Sequence, residues 1–176
     1  MPRRAMHFCD SDLYKWLEAA VLAGRLDLAE PVVELVEAGQ APDGYLHTHY
    51  GVEGMPARYS DLEFGHEHYC FGHLIEAAVA HHSATGSGQL LDVATRLADH
   101  LVATFGRGRG ERTDAHPEVE LALCRLAAAT GTERYVDHAA WALEHRLAAA
   151  GTTPEGYSLS GHAVRATLYP TTRSAP

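Results

Sequence analysis

The chain writes one helical hairpin twice. Residues 74–106 and 119–151 align without a gap at an offset of 45, with matches at Ala77/Ala122, Ala84/Ala129, Thr85/Thr130, Gly86/Gly131, Asp92/Asp137, Ala94/Ala139, His100/His145, Ala103/Ala148 and Gly106/Gly151. Composition alone would give about two or three such matches, so the fold is a repeat architecture. In each copy an apolar stripe at helical spacing is followed by a Thr-Gly turn and a second helix. In the second helix of the first copy, Leu90, Leu91, Ala94, Leu97, Ala98, Leu101, Val102 and Phe105 form one face, the pattern of a helix packed on a neighbour.

An earlier hairpin precedes these two. Leu13, Trp16, Leu17, Ala20 and Val21 recur at helical spacing over about Leu13–Ala23, with Asp10, Ser11 and Asp12 as candidate caps and Gly24 as the stop. A second helix follows Asp27 and carries Leu28, Val32, Leu35 and Val36, with Pro31 near its first turn. The stretch Gly39–Gly65, rich in glycine, proline and tyrosine, is a long loop of the kind that usually carries function. Inner helices are expected over Tyr69–Ser83 and from Pro117, and outer helices over Gln89–Phe105 and up to Ala150. The beginning of a fourth inner helix is expected over Gly161–Tyr169, with residues 167–176 as a disordered tail. No segment shows the two-residue alternation of a sheet, so the chain reads as a single all-α domain of stacked helical hairpins.

Composition narrows the function. With 176 residues, 46% of them hydrophobic, the chain can build one real core. A net charge of -9 and the lack of a basic stripe argue against nucleic acid as the main partner. No apolar run is long enough for a signal peptide or a membrane span, so the expected location is the cytosol, with no membrane partner. Cys9, Cys70 and Cys124 are too few and too widely spaced for a disulfide framework or a zinc ribbon, and Cys124 reads as core. Thirteen histidines are the unusual feature.

Those histidines are placed in register. If every hairpin supplies an inner and an outer helix, the inner helices run parallel and their N-termini share a rim. His66 and Glu67, His116 and Glu118, and His162 stand just ahead of the three successive inner helices, 50 and 46 residues apart. Imidazoles converging there could donate and accept hydrogen bonds to one ligand, although each could equally cap or pack locally. His66, His68 and Cys70, with His47 and His49, also alternate as metal ligands would on an extended segment, but Tyr69 onward reads as helix. Acid/base work needs two carboxylates across a cleft. Glu67, Glu118 and Glu120 are candidates; Glu118 and Glu120, two apart on a helix, cannot both face it, and Glu76 lies deeper. Tyr45, Tyr50, Tyr59, Tyr69 and Trp16 could form platforms for a polar ring or could equally be core, and Trp16 is expected in the core. His81, His82, His100, His138 and His145 are expected at the surface.

The segments DSDLYKWLEAA, PDGYL, GHEHYCFGHLIEAAVAHHSATG, LLDVATRLADHL, AHPEVELAL, TGTERYVDHA and GHAVRA occur in the order found in one group of enzymes. From Asp10 to Ala166 the chain resembles the N-terminal half of the catalytic domain of glycoside hydrolase family 127, the β-L-arabinofuranosidases. The resemblance implies part of an (α/α)6 barrel. It also implies an arabinofuranoside-type sugar at the mouth, contacted by His66 and His116, with His162 nearby and Glu67 and Glu118 beside them. The family's zinc, its cysteine nucleophile and its acid/base glutamates lie beyond GHAVRA. None of the three cysteines here matches them, so the resemblance implies no metal ligand and no catalytic residue in this chain. A truncated, weakly active relative is therefore expected, its open edges favouring self-association or pairing with a complementary half-barrel. The competing expectation is a non-catalytic helical-repeat module that binds carbohydrate or a protein partner.

Overall fold

The computed structural model of the protein describes residues 6–150, which form six helices and no strand. They are α1 (Asp10–Leu22), α2 (Leu26–Gly39), α3 (Glu67–Thr85), α4 (Gln89–Thr104), α5 (Glu118–Thr130) and α6 (Arg134–Ala150). The sequence expectation of an all-α hairpin array holds. The fourth inner helix expected over Gly161–Tyr169, including His162, and the tail lie outside the described residues.

Two layers result. The inner layer has α1 packed on α3 and α3 on α5; the outer layer sets α2 beside α4 and α4 beside α6. The repeat has a structural reason at its turns. Gly86 and Gly131 end α3 and α5 in the left-handed conformation, with φ of 73° and 71°, which costs glycine little. The preceding threonines close the last turn: Thr85 Oγ1 donates to the His81 carbonyl at 2.7 Å, and Thr130 Oγ1 donates to the Leu126 carbonyl at 2.8 Å. Ala77, Ala94, Ala122 and Ala139 are all buried where helices meet. Around them Leu17, Leu74, Leu90, Leu97, Leu101, Leu123 and Tyr135 fill the space between the layers.

Two of the inner helices begin earlier than their apolar periodicity suggests. α1 starts at Asp10 and α3 at Glu67, because a polar first turn carries no periodic signal. Acidic side chains there face the positive end of the helix dipole. Asp10 is therefore not the cap of α1: it lies inside the first turn and binds Thr48, whose N–H and hydroxyl donate to it at 2.7 and 2.5 Å.

Four burial expectations fail. Trp16 is exposed, on the edge of α1 that also shows Leu13, and Cys124 is exposed on the edge of α5 that also shows Leu121. Both edges belong to helices with an inner neighbour on one side among the described residues. Conversely, His81 and His138 are buried, His81 with its Nε2 3.1 Å from Glu30 Oε1.

Candidate functional site

The long loop between α2 and α3 is folded onto the rim rather than left open. Tyr45, Leu46, His47, Tyr50 and Leu62 are buried, so two of the four tyrosines, Tyr45 and Tyr50, serve to pack the loop. Two carboxylates at inner-helix N-termini pin it. Asp10 holds Thr48, with His47 Nδ1 3.4 Å away. Glu67, wholly buried, accepts from the Tyr45 hydroxyl and from the Tyr59 N–H, the latter at 2.8 Å. Burial pushes the Glu67 carboxyl up to about 7, against the pull of those two hydrogen bonds.

The loop ends in a glycine that nothing can replace without rearrangement. A Cβ at Gly65 would stand 2.3 Å from the Asp61 carbonyl and 2.5 Å from the Tyr50 hydroxyl. His66 follows in the left-handed region, with φ of 59° and no side-chain cap to α3. That conformation costs a non-glycine residue about 1 kcal/mol or more, and such strain concentrates at functional sites.

The turn at His66 brings its ring to His116. Their Nε2 atoms are 2.9 Å apart and their ring centroids 4.6 Å. The Phe64 carbonyl is hydrogen-bonded to His66 Nδ1 and can only accept. His66 therefore carries its proton on Nδ1, its neutral Nε2 is an acceptor, and His116 Nε2–H is the donor. The Tyr69 ring lies 5.7 Å from His66 and 5.1 Å from His116, and its hydroxyl accepts from Lys15 Nζ at 2.8 Å. His7 and Phe8 flank His66 from the other side, at 5.3 and 5.4 Å. Burial, then the neighbouring His66 and Arg146, lowers the pKa of His116.

The glutamates part company. Glu67 sits behind the rim, holding the loop. Glu118 is partly exposed on the inner face, 3.4 Å from His73 Nδ1, and burial raises its pKa. Glu120 turns the other way, into the interior, against Arg146 at 2.6 Å. Glu76 pairs with Arg125 of α5. The structure thus brings His66 and His116 together and leaves Glu67 and Glu118 outside their contact.

Sequence reasoning missed Asp114. It is buried; its Oδ1 accepts the His116 N–H at 3.0 Å and its Oδ2 accepts the Tyr69 N–H at 3.1 Å. The first bond is an Asx turn, and an aspartate two residues before a histidine was the available signal. Arg146, buried on α6, donates to the Asp114 carbonyl at 3.1 and 2.9 Å and to the His116 carbonyl at 3.2 Å. Burial pushes the Asp114 carboxyl up to about 6.

A match to known proteins fits this geometry. Residues 2–168 match the family described as beta-L-arabinofuranosidase, GH127 catalytic domain. The chain belongs to the GH127 family. A curated relative, the non-reducing end beta-L-arabinofuranosidase of Bifidobacterium longum subsp. longum, is 42% identical over 166 residues, covering 87% of this chain and 25% of its own. Two solved GH127 structures are also similar. A β-L-arabinofuranosidase from Geobacillus stearothermophilus T6 superimposes with a TM-score of 0.78 at 37% identity, over 94% of this chain and 26% of its own. The β-arabinofuranosidase BT3674 superimposes with a TM-score of 0.76 at 31% identity, over 90% and 27%. This GH127 chain thus spans about a quarter of the length of these relatives, and its hairpin array matches GH127 (α/α)6 barrel enzymes.

Among the described residues no group of three or more His, Cys, Asp or Glu side chains is arranged to hold a metal ion. The residues that alternate in sequence are dispersed by the helix. His68 is buried between Phe71 and Phe105, with burial lowering its pKa to about 3, and Cys70 donates its thiol to the Phe8 carbonyl at 3.7 Å. Among the described residues no helix is long and apolar enough to cross a membrane.

Proposed function

We propose that this chain holds the arabinofuranose unit of a β-L-arabinofuranoside, with His66 and His116 as its hydrogen-bonding pair. The observation that carries this reading is the 2.9 Å contact between two imidazoles at the rim of parallel inner helices. The two Nε2 atoms satisfy each other; a ligand that inserts between them meets a donor on His116 and an acceptor on His66, the complement of two neighbouring sugar hydroxyls. Tyr69 offers an aromatic edge beside them, and the chain's membership in GH127 supplies the sugar class.

Bond cleavage is assigned to groups beyond the described residues. A glycosidase needs one carboxyl free to protonate the leaving oxygen and another free to attack or to activate water. Near the rim, Glu67 and Asp114 each accept two hydrogen bonds and Glu120 is tied to Arg146, which leaves Glu118, beside His73, as a single carboxyl where two are needed.

Titration of methyl β-L-arabinofuranoside by calorimetry, with wild type and His116→Ala, tests the reading. Binding that is lost in the variant supports it; absent binding, or binding that the variant leaves unchanged, overturns it. Release of arabinose by the pure chain would overturn the assignment of cleavage elsewhere.

The exposed edges suggest the partner. Leu13 and Trp16 on α1, and Leu121 on α5, are exposed large apolar side chains on inner helices. With relatives about four times as long, the occupant this favours is a complementary set of inner helices. Light scattering that shows a stable, monodisperse monomer would count against that pairing.

A further inference from the structure

We infer that Asp114 is the positioning residue of the histidine pair: one buried carboxylate fixes the backbones that carry His66 and His116 relative to each other. The inference rests on the sugar-binding reading for its role in affinity, but its geometry stands independently.

The start of α3 needs an outside acceptor. His66 occupies the N-cap position in a left-handed conformation and makes no side-chain cap, so the first-turn N–H groups have no local acceptor side chain. Asp114, from the loop ahead of α5, supplies one to Tyr69 at 3.1 Å. Its other oxygen holds the His116 N–H at 3.0 Å. The two histidine-bearing segments therefore meet on a single side chain. The backbone that carries that side chain is itself held in place. Arg146 grips the Asp114 and His116 carbonyls, and the buried Glu120 carboxylate neutralises Arg146 at 2.6 Å. A site built in this way keeps its imidazoles within hydrogen-bond distance before any ligand arrives.

Asp114→Asn is the first test. Asparagine keeps one oxygen for the His116 N–H, but its amide group then faces the Tyr69 N–H, donor against donor. Two readouts are expected to move. The affinity for methyl β-L-arabinofuranoside falls by about tenfold to a hundredfold. The imidazole ¹⁵N signals of His116, expected to report a protonated Nε2 while it meets His66, shift toward a mixture of tautomers, whereas those of His66, fixed by the Phe64 carbonyl, stay as they are. A residue that only stabilised the fold would lower Tm and leave the tautomers unchanged.

If Asp114→Asn does not fold, Asp114→Ser serves. Its hydroxyl can keep the turn to the His116 N–H and loses only the link to Tyr69. Unchanged tautomers in the folded variant overturn the inference. If the wild type binds no arabinofuranoside, the sugar reading fails, and the ¹⁵N signals still decide the role of Asp114.

Discussion

His116 donates to His66, and the donor is decided by a third group, the Phe64 carbonyl on the far side of the His66 ring. A neutral pair in this arrangement is one donor and one acceptor. A single added proton still leaves one N–H and one lone pair to share between the two Nε2 atoms, whereas protonation of both rings removes the acceptor and sets two cations against each other.

The pH dependence of sugar binding follows from that pair. Burial and the neighbouring His66 and Arg146 lower the pKa of His116, so it stays neutral where an ordinary histidine, at about 6.5, begins to protonate. Affinity measured by calorimetry is expected to fall only below that range as the pH drops. A loss that begins well above pH 7 would contradict the neutral pair.

Glu67 gives the fold a pH dependence of opposite sense to that of a salt-bridged carboxylate. Its pKa is raised from 4.5 to about 7, so between those values the folded protein binds a proton that the unfolded chain has released. Stability is therefore expected to decline as pH rises from about 4.5 to 7 and then level off, by about 1.4 kcal/mol per unit of raised pKa. Glu67→Gln, which can accept from the Tyr59 N–H and donate to the Tyr45 hydroxyl, should flatten that part of the denaturation profile.

The loop clamp at Asp10 can be tested alone. Asp10→Ala leaves the Thr48 N–H and hydroxyl without their acceptor, at a cost of about 1–3 kcal/mol. Hydrogen exchange at the Thr48 amide should accelerate well before that of the α3 core amides. Uniform acceleration across both would show that Asp10 stabilises the whole fold rather than the loop.

Gly72 sets the spacing of α3 and α5. A Cβ there would stand 2.7 Å from Glu118 Cγ and 3.1 Å from the backbone of Glu118 and Val119. Gly72→Ala is expected to destabilise the protein by about 1–3 kcal/mol through overpacking, despite alanine's better helix propensity. A raised Tm would refute the close approach.

The fold was largely legible because its signals are periodic and local. The 45-residue offset, the Thr-Gly turns and the stripe on α4 each report a helix or its end, and the shared rim follows from parallel inner helices. The pairing of His66 with His116 was legible for the same reason. Exposure was less so: the stripe that includes Trp16 marks a helical face, but which part of that face meets a neighbour depends on how far the array extends. Glu67 was legible as a residue of the rim but not as the anchor of the loop, because Tyr45 and Tyr59 reach it from 22 and 8 residues away through the loop's own path. Arg146 offered no signal at all, since an arginine in a helix reads as surface until its buried partner Glu120 is seen.

The acceptor that Asp114 lends to α3 makes the hairpins interdependent. In an array stacked only through apolar faces, each repeat could form on its own and gain stability from its neighbours by increments. Here the second hairpin's entrance is finished by a side chain of the third, and the backbone that carries that side chain is locked by an arginine from the third hairpin's outer helix. An excised second hairpin would fray first at the end that bears His66. Assembly of the rim and closure of the third hairpin are in this sense a single cooperative event.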